Sequence, residues 1–220
     1  MSVELRASGA QANAASGNIT TLAMPAGTVE NDIMLAIVAS RDNVAHTITD
    51  WTVLHESNNG TMHRSTVLWK RAGASEVGPY TVNHTDGECI LARVISFSGS
   101  TTSGSPVANS SIKVNTSSST VTTTAIVPGF DNCMIVFFAT IALWAIWNSD
   151  TSGGGLSWTD IFTTYSASDV NIALAYGKQT TSASIAPTGT YDDVQVNNGI
   201  VVALKPAVGS AAVTGPFPTF

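Results

Sequence analysis

Residues 31–40 read NDIMLAIVAS and residues 131–140 read DNCMIVFFAT. The two stretches lie one hundred positions apart and pair without a gap, from Ile33 with Cys133 and Met34 with Met134 to Ser40 with Thr140. Each is an acidic or amide-bearing turn followed by eight residues that are almost all apolar. That length suits a buried strand, and the β-branched and aromatic side chains of the second copy lean the same way. A helix is the competing reading of so apolar a run. Pro25 and Gly27 ahead of one copy, and Pro128 and Gly129 ahead of the other, argue against it.

Around these runs the chain repeats itself in order. ITTLAM at 19–24 answers to VTTTAI at 121–126, and Trp51-Thr52 to Trp158-Thr159. RSTVLWKR at 64–71 answers to NIALAYG at 171–177, with Leu68 against Leu174. CILARVISF at 89–97 answers to NGIVVALK at 198–205, with Ile95 and Phe97 against Val202 and Leu204. Half a chain of this kind makes a sheet with one face uncovered, and two halves can cover each other around a shared core. The expectation is an all-β fold, a jelly-roll-like β-sandwich of about ten strands built from two similar halves.

The organisation follows. Residues 1–18 form an N-terminal segment, with an edge strand over 2–7 and loop beyond. Residues 19–205 form a single sandwich, its halves at 19–99 and 121–205. The Ser/Thr-rich stretch 100–120 is a crossover carrying one short strand. Residues 206–220 are an extended C-terminal arm, because Pro206, Pro216 and Pro218 bar a central strand. On 64–71, Val67 and Trp69 share one face and Leu68 the other; Trp51 and Val53 are also expected on one face. Arg93 falls on the inward face with Leu91, Ile95 and Phe97, so a strand end or a carboxylate partner is expected for it.

Bulk composition narrows the function. Charged residues are 11% of the chain, hydrophobic residues 44%, and the net charge is −6. No basic cluster exceeds Lys70-Arg71, which argues against a nucleic-acid surface. The start, MSVELRASGA, lacks a basic and then apolar leader, so no secretory signal is expected. The longest apolar run, 133–147, is too short to cross a bilayer as a helix, so no membrane partner is expected. Cys89 and Cys133 sit in apolar runs and read as buried free thiols, with a disulfide left open.

Motifs for chemistry are sparse. His46, His55, His63 and His84 have no metal-site spacing and are expected in solvent or bonded to backbone. Asp192 and Asp193 are adjacent, so on a strand they point apart and cannot flank one scissile bond. Asp86 and Glu88 with Asn83 are a weak calcium pattern. The triple glycine at 153–155 has no helix or lysine after it and makes no phosphate cradle. No catalytic residue, cofactor or metal is therefore expected. The notable constellation is aromatic. Trp144 and Trp147 lie in an insertion, 142–155, that has no counterpart in the first half, and Trp158 closes it. Trp51 and Trp158 read as core residues. For Trp144 and Trp147, core, subunit interface and glycan contact all stay open. For Phe217 and Phe220 two readings stay open, a disordered tail and an arm that docks both into a neighbouring subunit.

The succession of the 31–40 strand, Trp51-Thr52, the strand ending Trp69-Lys70-Arg71-Ala72, Pro79-Tyr80-Thr81-Val82 and Ser96-Phe97-Ser98-Gly99 resembles a β-sandwich domain of bacteriophage virion proteins and phage-like bacterial proteins. The resemblance implies a non-enzymatic virion component, a capsid decoration (cement), head-fibre or tail-associated protein. It would be made in the host cytoplasm, form a homo-oligomer with a trimer expected, and contact the major capsid or other virion proteins. The alternative is a carbohydrate- or receptor-binding module of a phage tail or fibre.

Overall fold

The computed structural model describes residues 2–166 and 169–207. In chain order the strands are β1 (Glu4–Ser8), β2 (Ala12–Ser16), β3 (Ile19–Leu22), β4 (Ile33–Ser40), β5 (Thr47–Ile48), β6 (Thr52–Asn58) and β7 (Arg64–Arg71). There follow β8 (Tyr80–Asn83), β9 (Glu88–Ser98), β10 (Val107–Thr122), β11 (Cys133–Ile141), β12 (Trp158–Ser166), β13 (Val170–Gln179) and β14 (Thr188–Leu204). Fourteen strands thus stand among the described residues, where about ten are expected from the pattern.

They form three antiparallel sheets. One large sheet has the order β1-β9-β4-β7-β6, with β2 also on β9; the other has the order β10-β14-β11-β13-β12; a small sheet has the order β3-β8-β5. Each large sheet comes from one continuous part of the chain. The two apolar runs, β4 and β11, hold the same place in the middle of their sheets.

All eight residues of β4 are buried, and so are all nine of β11. Strand periodicity explains why. Ile33, Leu35, Ile37 and Ala39 of β4 meet Met134, Val136 and Phe138 of β11 in one core between the large sheets. The other face of β4, with Met34, Ala36 and Val38, lies beneath the small sheet with Leu22, Tyr80 and Val82. The other face of β11 lies beneath loops: Phe137 and Ala139 under Ala145 and Trp147, and Cys133 and Ile135 beside Ile126 and Ile185. A sheet covered on both faces has nearly continuous apolar strands. Both cysteines are buried and free.

This packing corrects the gap-free pairing of the two runs. Ile33 is bonded opposite Phe97 and Arg71, whereas Met134 is bonded opposite Leu204 and Lys178. The structural partner of Ile33 is therefore Met134, not Cys133. A one-residue slip sends every side chain to the other face. A run buried on both sides shows no alternation, so its sequence cannot report the slip. Leu68 and Leu174 are set apart in the same way, Leu68 under the small sheet and Leu174 between the large ones.

Other expectations also move. The N-terminal segment holds two strands on β9, not one and a loop. The crossover becomes β10, sixteen residues along the edge next to β14. Trp51 is buried, but Val53 is 43% exposed. Arg93 sits in the middle of β9, where its Nε donates to the Gly9 carbonyl at 2.8 Å, in the step of chain between β1 and β2.

Gly199 in β14 has a specific task. A Cβ there would lie 2.3 Å from the Thr122 carbonyl oxygen and 3.1 Å from a Val121 methyl. The missing side chain lets the end of β10 cross closely over β14. Since the obstacle is backbone, Gly199→Ala is expected to lower stability by about 1–3 kcal/mol. Chemical denaturation checks it, and a loss within about 0.5 kcal/mol, the range of ordinary surface changes, would contradict the close crossing.

Candidate functional site

Two arrangements of polar and aromatic side chains stand out, one inside the molecule and one on its surface. The internal one lies at the end of the sandwich where β4 and β11 finish. His63, Ser65, Thr140 and Asn198 are fully buried there and come from both large sheets. His63 Nδ1 is 3.0 Å from the Ser40 carbonyl, and Nε2 is 2.9 Å from the Thr140 hydroxyl. The Ser65 and Thr140 hydroxyls are 2.6 Å apart, and Asn198 Nδ2 donates to Ser65 at 2.9 Å. Burial pushes the His63 imidazole down to about 4.

A second layer joins it within the first sheet. His46 lies between the hydroxyls of Thr66 and Ser40, 2.9 Å from each, and its ring meets the His84 ring at 5.0 Å. His84 Nε2 is 3.0 Å from Asp42, which also accepts from the Ser40 hydroxyl and the Val44 N–H. Burial lowers the His46 pKa well below its ordinary value, and the neighbouring His84 and Arg64 push the same way. Burial alone would raise Asp42, but the hydrogen bonds from Glu88, His84, Val44 and Ser40 outweigh it and lower its pKa.

Hydroxyl–imidazole pairs such as Ser65 with His63 are parts of nucleophilic catalysis elsewhere. Here Ser40, Ser65 and Thr140 have no exposed surface. The arrangement ties elements together: His63, just ahead of β7, bonds to Ser40 in β4 of one large sheet and to Thr140 in β11 of the other. Of the two environments the sequence suggests for the histidines, solvent or a bond to backbone, His63 has the second, through the Ser40 carbonyl. His46, His63 and His84 are all fully buried. Among the described residues no group of three His, Cys, Asp or Glu side chains is placed to hold a metal.

The surface arrangement is the insertion. Its backbone lies beside β14 as a short antiparallel ribbon. Ala142 N–H donates to Val196 O, Asp192 N–H to Ile146 O, and Asn148 N–H to Thr190 O; Trp147 bridges Tyr191. One register fits all four. The chain bends over 142–144, and the two tryptophans differ sharply in burial. Trp147 is 3% exposed, with ring contacts to Tyr191 at 5.0 Å and Phe137 at 5.9 Å, and its Nε1 donates to Asp160 at 2.9 Å. Trp144 is 54% exposed, Ile146 52% and Val194 54%. Trp51 is buried and Trp158 half-buried, each on the side of its sheet that faces away from the shared core. Phe217 and Phe220 lie outside the described residues.

At the opposite end, a recess of about 200 Å³ is lined by Arg6, Asp32, Ser98, Gly99, Ser100 and Ala207 among others. Arg6 and Asp32 form an ion pair there. Ala207 N–H donates to the Gly99 carbonyl and Ser100 bridges Pro206, so the described chain ends against this recess.

No family model matches the chain, and no curated protein or solved structure is similar enough to count as a match.

Proposed function

We propose that this chain is a non-enzymatic structural component of an assembled particle, acting through subunit contacts, of the capsid-decoration or head-fibre kind that its sequence pattern resembles. The observation that carries the reading is the buried end cluster. The hydroxyls and imidazoles that could serve chemistry are enclosed and bonded across strands of both sheets. Buried polar networks of this sort rigidify and specify one packing, which suits a part that must hold its shape while neighbours press on it. The surface is poor in charge, so copies can approach one another with little repulsion. Closed homo-oligomers are the common outcome for such proteins, and a trimer is the form proposed.

Residues 208–220, which include Phe217 and Phe220, follow Ala207 in the sequence. In this reading they are the arm that reaches a neighbouring subunit. The test is the mass in solution of the full chain against a chain ending at Ala207, which keeps the Ser100–Pro206 bridge. The full chain is expected to be a defined oligomer and the shortened one to fall to monomer. Equal masses would remove the arm from the assembly.

A further inference from the structure

We propose that the surface ribbon formed by Trp144 and Ile146 beside Asp192 and Val194 is a binding site for a neutral saccharide. The inference goes beyond the structural role and does not rest on it.

Three features converge. The first is shape. Trp144, Ile146 and Val194 are each about half exposed, and the Asp192 N–H donates to the Ile146 carbonyl, which brings the insertion beside this part of β14. An indole face flanked by two aliphatic side chains suits the C–H face of a pyranose ring, which is apolar at its face and polar at its rim. The second is the polar flank. Asp192 is exposed beside the apolar residues, and its Oδ1 accepts the Ile146 N–H at 2.7 Å. A carboxylate has about four acceptor positions, so Asp192 keeps capacity for sugar hydroxyl donors while its orientation is already fixed. The third is rigidity. The ribbon is pinned to β14 by backbone hydrogen bonds and underlain by Trp147, so binding orders little new.

The same features argue against other occupants. A stable dimer needs about 800 Å² from each partner, far more than three half-exposed side chains offer. The Asp192 carboxylate disfavours uronic and sialic acids, which is why the ligand is a neutral sugar.

The test uses the full chain with maltohexaose, cellohexaose and chitohexaose as probes, followed by calorimetry and tryptophan fluorescence, and an oligogalacturonate as the anionic control. At least one neutral hexasaccharide is expected to bind. Trp144→Ala is expected to weaken it about tenfold or more, Trp144→Tyr to retain most of the affinity, and Asp192→Asn to weaken it, all with unchanged melting temperatures. The proposal is overturned if none of the three neutral probes binds at about 10 mM, a loss of nearly all useful affinity. It is equally overturned if Trp144→Ala binds as the parent does, or if the oligogalacturonate binds as well as the neutral sugars. A mass that rises with concentration in the parent but not in Trp144→Ala would assign the ribbon to a second copy instead.

Discussion

Trp147→Ala is expected to lower stability by about 3–5 kcal/mol, while Trp144→Ala, three residues earlier, changes it by less than about 0.5 kcal/mol. The two residues look alike in the sequence, and the difference comes from which side of the ribbon each occupies. Trp147 lies over the outer face of the second large sheet, against Phe137 and Tyr191. Its Nε1–H is one of two donors to Asp160 Oδ1, the other being the Thr151 hydroxyl at 2.8 Å. The ring also fills the space above Gly189, where a Cβ would lie 2.3 Å from the indole. Alanine at 147 would leave a cavity under the insertion and withdraw a donor from Asp160, and the surrounding β-sheet cannot collapse to fill it. Trp144 is half exposed, so its truncation removes less buried surface than that of Trp147. Urea unfolding of the two variants, at unchanged slope, measures the contrast. Comparable losses in both would show that the ribbon does not hold the two faces apart.

The sequence carried the sheet centres but not their facing. The runs at 31–40 and 131–140 announce themselves because both faces of each strand are covered, and that same coverage erases the alternation that would have fixed the register. The small sheet is the reason: β3, β5 and β8 cap the outer face of the first large sheet, and only four residues or fewer of each are strand. The edge strand β10 was hidden differently. Its Ser, Thr and Asn residues read as linker, yet they pair along β14 on both sides of an irregular step. The buried cluster was illegible for a third reason. Ser40, His63, Thr140 and Asn198 are distant in sequence, and nothing local marks a histidine as buried when its partners come from another sheet. One signal was available: Ser40 and Thr140 end the two apolar runs with hydroxyls, and such residues at the end of a buried strand need partners. For Trp144 and Trp147 nothing in the sequence separated the buried ring from the exposed one, because the insertion forms no regular strand whose alternation could be read.

Acid is expected to loosen the sandwich from inside, with His63 as the main cause. Ser40 O can only accept, so His63 Nδ1 carries the hydrogen, and Nε2 of the neutral ring accepts from Thr140. Ser65 can then donate to Thr140, and Asn198 donates to Ser65, so the chain of bonds runs one way across the two sheets. A charged ring would have to be held inside this enclosed site. Burial therefore holds the imidazole at about 4 against an ordinary 6.5, although the bonds to Ser40 and Thr140 pull the other way. The folded state thus binds the proton more weakly than the unfolded chain. Stability is complete above about pH 6.5 and is lost as the pH falls through about 4, by about 3 kcal/mol from this residue. His46, lowered in the same direction by burial beside His84 and Arg64, adds to the loss. Asp42 is lowered as a carboxylate, so its hydrogen bonds from Ser40, His84 and Val44 give way further into the acid range. The melting temperature should therefore fall steeply between pH 6.5 and 4. His63→Gln keeps a polar group near Thr140 but cannot titrate. It is expected to be less stable than the parent at neutral pH and to have a flatter profile over that interval. A His63→Gln protein whose melting temperature falls as steeply as the parent's would show that the acid sensitivity lies elsewhere, with His46 and its contacts to Ser40 and Thr66 as the next place to look.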